Sequence, residues 1–406
     1  MIIIDADCHI CEPKDIFTSR MPSKYGDLIP QVKYVPEDQA DYWFVGDRKV
    51  YMVTSSVVYK GADGSYERRQ TTEGDDSAWA LFPRRHDEQH PSSYDPNERA
   101  KVMDAFGIRA AATYPNLGLV NPEVYLAGGH NDLAYQAAVV QAYNDWVLSW
   151  ATEQPGRFIP LGNVPYWNID LAVKEVARCA EIGMKGLVMS GVPELHGCPA
   201  FSDTAWDPLW AAAQDADLSI SFHAGGGEFD RGEYHTRVMG FAIMQIASTV
   251  GAFLGNAVSA IDVLLSGVLQ RFPRLRFAIV ESGVGWVPFA LEALDEHYKR
   301  FQPWNTRPEM KADELPSDLF RRQMFVNTWY ERLQNQSPAT LPIDNLMFET
   351  DYPHPTCLFG EEIEDAIENR MGSLSVEDKE KVLFKNAMRC FNLDQDFLDL
   401  GAKTLA

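Results

Sequence analysis

Eight short apolar runs alternate along the chain with longer amphipathic stretches, and this alternation leaves few architectures open. The runs are Ile2–His9, Ala110–Tyr114, Phe158–Val164, Gly186–Ser190, Leu218–His223, Arg276–Glu281, Met324–Thr328 and Asn345–Asp351. Apolar runs of this length, bounded by turn residues, read as strands buried on both faces, the mark of a parallel sheet crossed by helices. The stretches between them read as those helices, among them Asn131–Glu153, Asp170–Ile182, Pro208–Asp215, Ala257–Arg271 and Val287–Phe301. Eight βα repeats predict an α/β fold of the (β/α)8 TIM-barrel type, since open sheets of this kind usually stop near six strands.

One interval breaks the rhythm. About a hundred residues separate the first run from the second, far more than one crossover helix needs. Segment 22–95 is rich in Tyr, Asp, Gly and Pro, and the alternation around Gly46-Asp47 within Tyr42–Tyr51 predicts a β-hairpin. It is expected to be an insertion over the barrel mouth, serving as a lid or an oligomer contact, with a solvated decoration as the alternative. No internal repeat appears. The 406 residues, 46% hydrophobic and 23% charged, thus read as a single folded domain with one insertion. The tail from Asn392 is expected to be a surface extension.

Charge narrows the range of partners. Lys+Arg number 36 against Asp+Glu 58, a net charge of −22 that repels phosphate backbones and argues against nucleic-acid binding. Small anionic substrates stay possible because a bound metal reverses the sign locally. The six cysteines include a C-x-x-C at Cys8 and Cys11, but no second such pair completes a zinc site. They read as reduced thiols. Met1-Ile2-Ile3-Ile4-Asp5 has no basic region and does not resemble a signal peptide. No run approaches the ~20 apolar residues of a membrane span, so a cytoplasmic protein without membrane partners is expected.

The ends of the strands carry the reactive groups. The first run ends Asp5-Ala6-Asp7-Cys8-His9-Ile10-Cys11-Glu12, and simple alternation puts Asp5, Asp7 and His9 on one face, turned into the barrel. The fifth ends at His223 before three glycines, the sixth at Glu281, and the eighth in Glu349-Thr350-Asp351-Tyr352-Pro353-His354. Ionisable groups facing a core are unfavourable unless compensated, and a divalent cation compensates them. Taken singly, each has a bland explanation as a turn former or a hydrogen-bonded rim residue. Their coincidence at the C-terminal face of one barrel, where active sites of this fold sit, predicts a metal site.

The ordered set of motifs resembles the amidohydrolase-related family of the metal-dependent amidohydrolase superfamily, over nearly the whole chain except the insertion. The marks are Asp5-x-Asp7-x-His9-x-x-Glu12, Tyr94-Asp95-Pro96 leading to Met103–Ile108, and Trp206-Asp207-Pro208-Leu209-Trp210. His223, Arg271-Phe272-Pro273-x-Leu275, Thr350–His354 and Lys385-Asn386-Ala387-Met388-Arg389 follow in order. The resemblance implies Asp7, His9, His223 and Asp351 as primary metal ligands, with Asp5 behind them orienting the ligand imidazoles. The sixth strand departs from the pattern: many relatives carry His there, and this chain has Glu281. The added negative charge predicts a second cation, held by Glu281, Glu12, His235 and His354, unless one acid is protonated. With a single ion, Glu281 is a general base and Glu12 a surface acid capping the next loop. The donor types suit one or two Zn²⁺, Mn²⁺ or Fe²⁺ ions, and Cys8 alternates away from them.

The leading expectation is hydrolysis of a small carboxylic ester, thioester, lactone or amide, with His223, Glu281 and Asp351 as the catalytic set. The decarboxylase relatives offer a second reading, non-oxidative loss of CO₂ from an aromatic or unsaturated acid, with Arg231, Arg237 or His196 gripping the substrate. A dinuclear iron or manganese oxygenase is a third, and an inactive partner subunit a fourth. Trp286, Phe289, Trp329, Tyr330, Tyr352, Trp167 and His196 follow strand ends and are candidate walls of a substrate pocket. The insertion and the family's habits suggest a homo-oligomer, with a hetero-oligomer of related subunits as the alternative.

Overall fold

The computed structural model describes residues 1–61, 66–70, 74–116, 123–126, 132–224, 240–335 and 340–404. Its barrel is built from β1 (Ile4–Ile10), β7 (Ala110–Pro115), β8 (Phe158–Asn163), β9 (Gly186–Met189), β10 (Ser219–His223), β11 (Phe277–Val280), β12 (Met324–Thr328) and β13 (Leu346–Phe348). These eight strands pair in that order, every pair parallel. The sheet returns on itself: Asp351 N–H donates to the Asp7 carbonyl at 2.9 Å, and His9 N–H to the Tyr352 carbonyl at 2.7 Å. This is the (β/α)8 barrel that the apolar runs predict.

Four strands, β8, β9, β11 and β13, stop short of their expected ends. Glu281 and Asp351 have φ of 54° and 57°, the left-handed region that breaks a strand: β11 closes directly before Glu281, and Asp351 follows the end of β13 by three residues. Such conformations cost free energy for non-glycine residues and concentrate at functional sites.

The interior is packed by Ile4, Ala6, Ala110, Ala112, Ile159, Leu161, Val188, Ala278, Val280, Phe325 and Met347. Ala387, Cys390, Phe391, Leu393 and Leu398 join the same cluster, closing the end of the barrel from which the strands start. The tail is therefore a plug rather than the expected surface extension. Its helix Gln395–Thr404 has apolar residues whose partners lie on the barrel.

The insertion holds an antiparallel sheet of β2 (Gln31–Val35), β3 (Ala40–Val45) and β4 (Arg48–Met52), with β3 and β4 joined across Gly46-Asp47. A small ribbon of β5 (Val58–Lys60) and β6 (Tyr66–Arg68) follows. Val57 N–H donates to the Pro353 carbonyl at 2.9 Å and Cys11 N–H to the Ser93 carbonyl at 2.8 Å, which ties the insertion to the ends of β13 and β1. The six cysteines are free thiols.

The crossover after β10 differs most from expectation. Its helix runs Phe241–Leu265, sixteen residues earlier than the Ala257 start read from the sequence, and it is long and apolar enough to cross a membrane by length and composition. Gln245, Ser248, Thr249 and Asn256 interrupt the apolar run without adding charge, which hides it from a simple count. One face is held on the barrel, where the Asn256 amide donates to the carbonyls of Phe222 at 3.0 Å and Val280 at 2.8 Å.

Candidate metal centre

Strand β1 delivers two groups by means of an irregularity. Ile4 and Ala6 point into the barrel interior, which places Asp5 on the opposite face. The pairing with β7 then slips between Asp5 and Cys8, a β-bulge that lets Asp7 follow Ala6 on the interior side. From there Cys8 and Ile10 pack outward and His9 faces in. Asp5 thus leaves the face it was expected to share. It accepts from Thr350 N–H at 2.8 Å, from the Thr350 hydroxyl and from Asp7 N–H at 3.2 Å, and it touches no imidazole. Its work is to fasten β1 to the end of β13.

Asp7, His9, His223 and Asp351 converge. His9 Nε2 lies 2.9 Å from His223 Nε2, 3.6 Å from Asp7 Oδ1 and 3.5 Å from Asp351 Oδ1. His223 Nε2 lies 3.3 Å from Asp7 Oδ2. His354, whose ring stacks on His9 at 3.7 Å, adds Nδ1 at 3.1 Å from Asp351 Oδ1. Among the described residues, possible ligand atoms form two overlapping groups, Asp7–His9–His223 and His9–Asp351–His354, each within 4.8 Å. Tyr114 forms the floor, its hydroxyl donating to Ser221 at 3.0 Å.

Proton positions follow from the surrounding bonds. The Asn116 amide donates to the Ile10 carbonyl at 2.8 Å, so its oxygen faces His354 Nε2, 2.6 Å away, and Nε2 must carry the hydrogen. Burial holds the His354 pKa down to about 4, so Nδ1 presents a bare lone pair to Asp351. His223 Nδ1 lies 2.8 Å from the Ala224 carbonyl, which only accepts, so Nδ1 carries a hydrogen and Nε2 is the nitrogen turned toward Asp7 and His9. Both oxygens of Asp7 and Oδ1 of Asp351 are buried without a hydrogen-bond partner. Acceptors gathered this closely repel unless protons or a cation lie among them, and imidazole nitrogens with two carboxylates are a donor set that fits a divalent cation of the Zn, Mn or Fe type.

Without a cation, protons fill that role. Burial, then the charges of Asp351 and Glu281, push the Asp7 carboxyl well above the ordinary range. Burial raises Asp351 and Glu281 to about 7 each. His9 is held well below the usual imidazole value, by burial first and then by His354 and His223. Glu349 sits beneath Asp7, fully buried, and burial followed by the charge of Asp7 pushes it far up. Its Oε2 accepts from the Asn327 amide at 2.5 Å and from Glu281 N–H at 3.3 Å.

Other expected residues fall outside the converging set. Glu281 Oε2 lies 3.4 Å from His223 Nδ1, on the far side of that ring from Nε2. Glu12 is buried rather than on the surface, and its Oε1 accepts Asn116 N–H at 2.9 Å, so it shapes the loop after β7. His235, Arg231 and Arg237 lie outside the described residues. Tyr352 is framework and not pocket wall: it packs against Phe106 and Phe359, its hydroxyl is 2.6 Å from Ser92 Oγ, and Arg99 lies over its ring. Trp329 is buried against Phe253, and Trp286 is half-buried with its Nε1 donating to the Gly283 carbonyl at 2.9 Å. Phe289 and Tyr330 are exposed. Trp167 and His196 line a cavity of about 280 Å³ with Tyr166, Cys198 and Trp206, beyond β8 and β9.

Sequence reasoning did not single out four residues that the site uses. Asn116 sets the His354 tautomer, the Thr356 hydroxyl donates to Asp351, and Glu349 sits under Asp7. Arg99 donates to the His9 carbonyl at 2.7 Å and to the Ser92 carbonyl at 2.6 Å, bracing β1 from outside. Only Glu349 left a trace, as an acid inside an otherwise apolar strand end.

With this geometry in place, the comparisons with known proteins are decisive on family. A family model described as amidohydrolase matches residues 4–393. The chain belongs to the amidohydrolase family. A crystal structure of an amidohydrolase from Mycobacterium avium subsp. paratuberculosis superposes with a TM-score of 0.73 at 21% identity, covering 96% of this chain and 99% of that one. A gamma-resorcylate decarboxylase of Polaromonas sp. is 25% identical over 308 residues, 74% of this amidohydrolase and 88% of the relative. A dihydroxybenzoic acid decarboxylase of Polaromonas sp., solved with manganese and 2-nitroresorcinol, superposes with a TM-score of 0.58 at 19% identity, over 76% and 90% of the two chains. The gamma-resorcylate and dihydroxybenzoic acid relatives are both named as decarboxylases, not as hydrolases.

Proposed function

We propose that this amidohydrolase-family enzyme is a metal-dependent, non-oxidative decarboxylase of a small aromatic or unsaturated carboxylic acid. The observation that carries this reading is the convergence of ring nitrogens and carboxylate oxygens from Asp7, His9, His223 and Asp351 beside an acid, Glu281, raised to about 7. Asp7, His9, His223 and Asp351 would hold a divalent cation, which would supply positive charge toward negative charge developing on the substrate.

The chain's own groups account for the rest. When the bond to the carboxylate breaks, its electrons pass to the substrate carbon, which must receive a proton as CO₂ leaves. Glu281 suits that donation: it is outside the ligand groups, its pKa is near neutrality, and its side chain is 14% exposed, so solvent can reload it. Asp351, fixed by Thr356, and His354, fixed by Asn116, hold their lone pairs in place without reorganisation. Tyr114 and the surrounding burial keep water off the ligand side.

Hydrolysis uses the same residues with Glu281 as a proton acceptor, and pH separates the two. A donor must be protonated, so decarboxylation falls as pH rises through the Glu281 pKa, whereas a base gains activity over the same window. A bound cation lowers that midpoint without changing the sign. The test offers hydroxybenzoic acids to the manganese-loaded protein, following CO₂ release and deuterium entry from D₂O at the vacated carbon. Both signals are expected, with Glu281→Gln keeping its metal and losing at least a hundredfold in rate. Ester or lactone hydrolysis without CO₂ release would replace this reading.

A further inference from the structure

The cavity of about 280 Å³ beyond β8 and β9 shares no lining residue with the metal centre. Its aromatic walls are Tyr166 and Trp167, just after β8, and Trp206; His196 and Cys198, after β9, bring polar atoms. Tyr166 also bounds the barrel mouth. Its hydroxyl is buried and lies beside Ser190, which follows the interior-facing Val188 by two residues and so shares its side of the strand. Tyr125 stacks on Trp167 at 5.5 Å and accepts from the amide of Asn163, at the end of β8, at 2.6 Å. These rings form a partition between the cavity and the barrel mouth.

The lining selects a ligand. A cavity of about 150 Å³ walled by apolar side chains already admits one benzene ring, so this one has room for a ring with a substituent. Both indole N–H groups are spent on the protein: Trp167 Nε1 donates to Gln136 Oε1 at 2.9 Å, and Trp206 Nε1 to the Pro199 and Ala200 carbonyls at 3.1 Å. What the two tryptophans offer a ligand is ring surface, which suits an aromatic partner. Among the described residues, the lining holds no Lys, Arg, Asp or Glu. Burial and then the charge of Glu194 raise the Cys198 thiol, so the field reaching the cavity is negative, in a chain of net charge −22. A carboxylate would be desolvated there with no cation to compensate it. A hydroxyl needs none, because the imidazole of His196 can pair with it.

We propose that this cavity is a second small-molecule site that takes a neutral phenol, the ring against Tyr166, Trp167 and Trp206 and the hydroxyl on His196. A hydroxybenzoic acid that exchanges its carboxylate for a hydrogen becomes such a phenol. The cavity therefore holds the product class and refuses the substrate class. That link rests on the function proposed above; the binding itself does not.

Cys198 is the one cysteine of the six that is not buried, which makes it a reporter of occupancy. A Kd below about 1 mM is within reach of a ligand of seven non-hydrogen atoms. In zinc-loaded protein, about 5 mM phenol should then slow alkylation of Cys198 by iodoacetamide at least fivefold, as read by mass spectrometry. Benzoate at the same concentration should change the rate less than twofold. In fluorine NMR, broadening of 4-fluorophenol by the protein should vanish in Ala205→Phe, which fills the cavity from an exposed position, and persist in His223→Ala. Absence of protection, equal protection by benzoate, or broadening that survives Ala205→Phe overturns the proposal. So does broadening lost in His223→Ala, which puts the phenol on the metal centre. Protection by phenol in a protein that releases no CO₂ from hydroxybenzoic acids keeps the site and strikes only its link to the reaction.

Discussion

Replacing Asp5 with asparagine isolates one buried carboxyl from the metal site. Burial raises its pKa from 3.8 to about 7, against smaller opposing effects from the Thr350 hydroxyl, the backbone N–H groups of Thr350 and Asp7, and Arg99. Asparagine has the same shape, its oxygen can still accept from Thr350 N–H, and the Thr350 hydroxyl can turn to accept from the new amide. Below pH ~3 the aspartic acid is neutral in both folded and unfolded chains and the comparison is flat. As pH rises, the unfolded chain loses its proton first, so stability drains away until the folded group ionises near 7. A rise of this size is worth about 4 kcal/mol. At about 2.1 cal/mol/K of unfolding entropy per residue, a chain this long shifts its thermal midpoint by about 5 °C. Calorimetry from pH 4 to 8 should therefore show wild type losing about 5 °C relative to Asp5→Asn, whatever the offset at pH 4. A difference that stays within about 1 °C across the range would refute the claim that burial dominates. One that grows the other way would show that the Thr350 bonds favour the ionised form.

Three further outcomes follow from the packing. His223→Ala removes the imidazole whose Nε2 faces Asp7 and His9, and elemental analysis should find metal reduced to a small fraction of the wild-type content per chain. Arg99→Met leaves the carbonyls of His9 and Ser92 unpaired in the interior; a loss of about 2–4 kcal/mol in chemical denaturation is expected, with weaker metal retention. Gly156→Ala sets a methyl group 2.2 Å from Gly401 N at a residue with φ of 75°, so the thermal midpoint should fall by several degrees and the C-terminal helix should become open to proteolysis. Unchanged stability there would mean that the helix does not seal the barrel.

The four converging residues were legible because the apolar runs locate strand ends well and the family resemblance singles out Asp7, His9, His223 and Asp351 among the groups there. Asp5 was not. A bulge adds one residue to one strand of a pair, and nothing in Asp5-Ala6-Asp7 announces that alternation stops there. The helix Phe241–Leu265 escaped for the opposite reason: both its faces are apolar, so the 3.6-residue rhythm that reveals a surface helix is absent. Asn116 and His354 are 238 residues apart, and Thr350 lies 345 residues from Asp5. Pairings over such distances depend on strand order and register, which local pattern does not contain. Tyr352 and Trp329 were read as pocket walls from their place after a strand, yet aromatic residues there serve packing equally well.

Closure between β1 and β13 also has a consequence in time. The donors on β1 leave the ribosome first, and Asp351 emerges some 340 residues later, roughly 20–70 s at ordinary rates of synthesis. Until β13 docks, the interior donors of β1 have no partner strand on one side, and no cation can be enclosed. Metal capture by the proposed site would therefore wait until β13 has docked, and the nascent polypeptide would be protected from trapping whichever ion it meets first.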